Sequence, residues 1–274
     1  MEIMKFLEML SVDQGWINVK IDSHLKDRIF KYVEELDRNI TDKSLKFDLK
    51  YKLQKLISFK DSLNMKDMIT FMIILQYFKE IKDNFDGPAG GLLMEEILSC
   101  LVYGDRVPGN KKEDFIAKNS KRFITRQEGD DVQNKTVSYQ VKFYTRGNYI
   151  KIDMSKLCDI TVVCIRDGRN AASKIHICFL TVADIVTYST TSGISTAQLV
   201  TNNNASKVVL DFFEIDKTLE KIGSKIKDSI IVIYDNLAEL HDVVDDIMLG
   251  DKNKVKKAEA ITDVIKSNIK NIIE

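Results

Sequence analysis

Apolar residues recur at three- and four-residue spacing in Leu25, Ile29, Tyr32, Val33 and Leu36, and again in Ile69, Met72, Ile73, Leu75, Phe78 and Ile81. That is the period of helices that bury one face, so residues 1–85 read as an N-terminal helical unit. The segment Asp86-Gly87-Pro88-Ala89-Gly90-Gly91 interrupts it, and a further helix is predicted over 92–103, stopped by Gly104 with Pro108 close behind. Between 121 and 188 the period falls to two. Arg122–Thr125, Thr136–Tyr144, Ile160–Arg166 and Ile175–Val182 are rich in β-formers and separated by turn residues, which predicts a sheet of four or more strands. Ser, Thr and Asn dominate 189–207, which reads as a polar loop. In the remaining segment, 208–274, Leu219, Ile222, Ile226, Ile230, Ile233, Leu237, Leu240, Val244 and Ile247 alternate by three and four up to Gly250, and a second helix follows over 255–273. This predicts a long helical hairpin. The expected class is α/β (α+β), a mixed sheet flanked by helices in a core over 86–188, set between the two helical additions.

Composition narrows the chemistry. With 41 Lys+Arg against 41 Asp+Glu, the 274-residue chain has no global basic footprint, and contact with phosphate must come from a local patch. Its 30% charged residues, the lack of a long apolar run and an acidic Glu2 argue against a membrane span or a secretory leader, so a cytoplasmic protein without a membrane partner is expected. Cys100, Cys158, Cys164 and Cys178 have no CxxC spacing and read as reduced core residues. His24, His176 and His241 are too scattered for a zinc site or a Ser-His triad. No small-molecule cofactor is expected.

In the strand Thr136–Tyr144, alternation puts Val137, Tyr139, Val141 and Phe143 on a core face and Ser138, Gln140, Lys142 and Tyr144 on the other. If Asn134-Lys135 is a two-residue hairpin turn, Asp131 pairs with Ser138 and shares its face with Gln140 and Lys142. On the preceding helix, Glu95 lies at the edge of the buried arc and Glu96 nearer the opposite side. A helix glutamate, a strand acid, and then a polar residue and a lysine two apart resemble the active-site pattern of the PD-(D/E)xK nuclease superfamily, here Glu95, Asp131 and Gln140-Val141-Lys142 over about 87–182. Position 140, usually Asp or Glu in that family, is a neutral carbonyl ligand in this chain.

The resemblance implies a restriction-endonuclease-like core and a Mg²⁺- or Mn²⁺-dependent endonuclease that hydrolyses phosphodiesters of DNA, with RNA left open. In that reading Asp131, Gln140, the Val141 carbonyl and Glu95 bind the metal, and Lys142 polarises the attacking water. Lys111, Lys112, Lys118, Lys121, Arg122 and Arg126 cluster in the loop over 105–126, between that helix and the strand, and would contact phosphates. Two-strand cleavage implies a homodimer, with Ile226, Ile230, Ile233 and Leu237 as expected contacts, the alternative being that this seam packs on the chain's own first helical unit. The alternative is a non-enzymatic assembly or adaptor protein with an inactive nuclease-like core, since a polar strand face is also what any half-exposed sheet presents.

Overall fold

The computed structural model describes residues 23–38, 48–58, 65–107, 112–118, 136–167, 173–191, 193–203 and 205–273. Helices α1 (Ser23–Arg38), α2 (Leu49–Leu56) and α3 (Met65–Asp83) lead to α4 (Pro88–Leu101). Strands β1 (Gly104–Arg106), β2 (Phe115–Lys118) and β3 (Thr136–Thr145) follow, then a short β4 (Tyr149–Ile150), β5 (Ile160–Arg166) and β6 (Lys174–Thr181). After α5 (Val182–Thr191), β7 (Ile194–Ser195), α6 (Thr196–Thr201) and β8 (Lys207–Asp211), the chain ends in α7 (Phe212–Met248) and α8 (Val255–Ile273).

The protein is mixed α and β, with a six-stranded sheet in the order β1-β2-β3-β5-β6-β8. β1, β2 and β3 form an antiparallel meander, β3 and β5 run parallel, and β5, β6 and β8 are antiparallel. Every residue of the central β5 is buried, which explains why its run Ile160-Thr161-Val162-Val163-Cys164-Ile165 is almost continuously apolar. Ile29, Leu53, Phe71, Leu98, Val141, Val162 and Phe212 belong to one apolar cluster, so α1 to α4 and the start of α7 cover one face of the sheet. Ile150, Val163, Ile165, Ile185, Ile194 and Leu199 form the second cluster, beneath the layer of α5, α6 and the β4–β7 pair.

The glycine-rich segment expected to interrupt the helices is the first turn of α4. Gly87 is its N-cap and Pro88 its first residue, where a missing N–H costs nothing. A Cβ on Gly90 would stand 2.5 Å from the Asn84 carbonyl oxygen, so a side chain there would push α4 off the end of α3. Residues 189–207, expected as loop, carry the end of α5, then β7 and α6. Thr196 Oγ1 donates to the Asn148 carbonyl at 2.8 Å beside the small β4–β7 pair, a local demand that polarity alone disguises.

The C-terminal hairpin forms as expected, but its first half is not free. Ile226 is buried with the sheet-side core and Ile230 packs against it, because α7 lies along α3. These two expected dimer contacts are spent within the chain.

Candidate active site

The strand that faces the start of β3 is β2, with Ala117 opposite Val137 and Ile116 opposite Ser138. Residues 131–135 of the expected hairpin lie outside the described residues; the short apolar run Phe115-Ile116-Ala117 is what pairs with this part of β3 among the described ones. Asp131 itself lies outside the described residues, as do Lys111, Lys121, Arg122 and Arg126.

β2 begins opposite Tyr139, and the residue just before it, Asp114, turns back onto β3. Its amide donates to the Tyr139 carbonyl at 2.8 Å, and its Oδ2 accepts from the Val141 amide at 2.6 Å. A carboxylate thus replaces the ladder just ahead of β2, and Oδ1 makes no hydrogen bond with the described residues. The Lys142 ammonium acts on Asp114 through its charge and makes no hydrogen bond or ion pair with another described residue. Gln140 Nε2 donates to the Lys112 carbonyl at 2.9 Å, which folds the 112–114 turn over the strand. Lys112 itself is exposed, with its Nζ donating to the Leu157 carbonyl at 3.2 Å.

Glu95 reaches this place from α4. Its Oε2 accepts from Arg106 Nη2 at 2.9 Å, and Arg106 Nη1 stands 3.6 Å from Glu96 Oε2. Both glutamates are therefore turned toward β1, and Glu96 is not the solvated one of the pair. Burial, then the charge of Asp114, hold the Glu95 carboxyl above the ordinary carboxylate range, against the pull of Arg106. Burial also raises Asp114, opposed by the Val141 amide, Lys142 and Arg106. Asp114 interacts through charge with both Lys142 and Glu95, and Lys142 is not among the charges that act on Glu95.

Sequence reasoning missed Asp114. The signal was an Asp directly before a short apolar run, Glu113-Asp114-Phe115-Ile116-Ala117, ahead of the Gln140-Val141-Lys142 strand. Glu113 is its neighbour, with Oε2 buried and without a hydrogen-bond partner among the described residues.

Glu95, Asp114 and Gln140 each carry the oxygen donors that a hard divalent cation takes, and the two raised carboxyls are groups that such a charge would relieve. Among the described residues, no three His, Cys, Asp or Glu side chains group closely enough to hold a metal ion by themselves. Among the same residues, no helix is long and apolar enough to cross a membrane. No family model, no curated protein and no solved structure matches the chain.

Proposed function

We propose that the chain is a divalent-metal-dependent nuclease acting on DNA, built on a restriction-endonuclease-like core, with Glu95, Asp114, Gln140 and Lys142 as its site. Asp114 takes the role first expected of Asp131. The observation that carries this reading is Asp114, fixed by the Val141 amide, beside a lysine without a partner among the described residues and across from Glu95.

Asp114 Oδ1 and the Glu95 carboxylate would hold Mg²⁺ or Mn²⁺, and the Gln140 side chain or the Val141 carbonyl would complete the set. When bound, the ion supplies charge neutralisation at the phosphate and makes a water easier to deprotonate. Lys142 orients that water and offsets charge that develops on the phosphate oxygens. The Val141 amide keeps Asp114 from turning away while no substrate is present. Lys112 and the basic positions 111, 118, 121, 122 and 126 would track the backbone.

Incubation of plasmid and linear DNA with the full chain in Mg²⁺ or Mn²⁺, beside a chelated control, tests the reading. Cleavage that needs the metal and is lost in Asp114→Ala and Lys142→Ala supports it; metal-independent or unaltered cleavage overturns it.

One observation favours the rival reading of an assembly protein. The distal half of α7 leaves Tyr234, Leu237, Val244 and Met248 exposed, although Leu240, Val243 and Ile247 already seal the contact with α8. Residues 228–251 carry seven acidic and no Lys or Arg side chains, whereas 252–270 carry six lysines and two acids. Such a hairpin matches a second copy turned end for end, acidic arm on basic arm. A homodimer through this surface accords with either reading, and the core is then a nuclease or its inactive descendant.

A further inference from the structure

Arg106 is the last residue of β1, a three-residue strand at the edge of the sheet, and its guanidinium reaches back to α4. There it serves two consecutive glutamates at once, Glu95 at 2.9 Å and Glu96 at 3.6 Å, and its charge also bears on Asp114. The backbone fixes this proximity, since the Val107 amide donates to the Asp114 carbonyl at 3.0 Å. Arg106 and Lys142 both act on Asp114 as positive charges, and of the two it is Arg106 that also faces Glu95 and Glu96.

The two partners differ in access. The glutamate side chains are 17% and 16% exposed, the Arg106 side chain 38%. The carboxylates are set into the wall and the guanidinium lies over them at the rim. An ion pair that open to water is weak and exchanges readily. A compact divalent ion carries twice the charge and takes the same oxygens with shorter contacts.

We propose that Arg106 is the exchangeable counter-cation of this site: its guanidinium holds Glu95 while no metal is present, and a divalent ion must displace it to bind. The inference rests on the metal-site reading above. It assigns Arg106 a positioning role, keeping the partly buried carboxylates from repelling one another before metal arrives and setting the threshold concentration at which metal enters.

Calorimetric titration of Mn²⁺ into the full chain and into Arg106→Gln, with thermal melts of both with and without Mn²⁺, tests it. The variant is expected to bind Mn²⁺ more tightly, by about tenfold, the size of effect that loss of one modest competing contact produces. It should also melt lower than the parent without metal and recover the loss when Mn²⁺ is added. Equal or weaker affinity overturns the proposal, as does a loss of melting temperature that Mn²⁺ does not recover, which would mark Arg106 as a clamp between β1 and α4. Where Arg106→Gln does not fold, Arg106→Lys carries the same comparison, because a lysine reaches one carboxylate in place of two: tighter binding supports exchange, and equal or weaker binding overturns it. If neither parent nor variant binds Mn²⁺, the metal site and the exchange both fall. If both bind alike, the exchange alone falls.

Discussion

Asp114 and Val141 are joined by a hydrogen bond from the Val141 amide to Asp114 Oδ2, 2.6 Å long, just ahead of the point where β2 begins and where β3 runs on past it. A backbone donor that a strand would ordinarily satisfy is given to a carboxylate, so the residue proposed to hold the metal also contributes to stability. Asp114→Ala should remove the acceptor and cost about 1–3 kcal/mol, the penalty for stranding a partly buried donor. Asp114→Asn keeps an oxygen in place and should cost less, while abolishing metal-dependent cleavage as fully as the alanine. Urea unfolding beside the cleavage assay separates the two effects; equal stability of both variants would show that the bond contributes nothing.

Glu95 gives the protein a pH dependence of definite sign. Burial and then the Asp114 charge raise its carboxyl, so it holds a proton more tightly folded than unfolded. Its stabilising contribution is full below the unfolded value and drains away as pH climbs from about 4 through the raised folded value. Asp167 and Asp211 run the other way. For Asp167, burial is outweighed by His176 and Arg146, and Asp211 is lowered chiefly by Lys174, so their contributions grow as pH rises from below their folded values. The comparison with Glu95→Gln isolates the first effect. The variant should lose less melting temperature than the parent between mildly acid and neutral pH, and parallel curves would remove Glu95 from the balance.

Gln140 and Lys142 lie on the polar face of β3, and their variants should part company. Lys142→Ala deletes a charge that holds no described partner, so the fold should change by less than about 1 kcal/mol while cleavage falls roughly 10²-fold or more. Unchanged cleavage would take Lys142 out of the mechanism.

Gln140→Glu adds a carboxylate beside Asp114 but gives up the donor to the Lys112 carbonyl. We expect tighter Mn²⁺ binding together with a loss of about 1 kcal/mol without metal, from one hydrogen bond exchanged for a repulsion. Calorimetry that shows equal or weaker Mn²⁺ affinity would mean that residue 140 is not a ligand.

The elements with strong periodicity were legible in the sequence. β5 and β6 lie within a residue of their expected bounds, and α7 and α8 follow a seam that only helices can use. The face assignment of β3 also holds: Val137, Tyr139 and Val141 are buried, while Ser138, Gln140 and Lys142 are half-buried. Asp114 was not legible. Asn134-Lys135 supplied a plausible turn nearer in sequence, and β2 is too short to show alternation, so the pairing of β3 with a strand some 20 residues away had no local signal. Arg106 was hidden for the same reason, since β1 is three residues long and its side chain acquires meaning only from α4.

The hairpin poses the last test. Ile226 is buried against the chain's own core, so Ile226→Glu should unfold the protein, because an unpaired charge would enter an apolar contact. Leu237 and Met248 are 48% and 80% exposed, and a double substitution Leu237→Glu, Met248→Glu should leave the monomer folded. If a second copy covers that row, light scattering at micromolar concentration gives a dimeric mass for the parent and a monomeric mass for the double variant. Raised salt should also weaken the parent dimer, because its acidic and basic arms are opposed at an exposed surface. A monomeric parent removes the dimer, and with it the simplest route for two sites to reach both strands of one duplex.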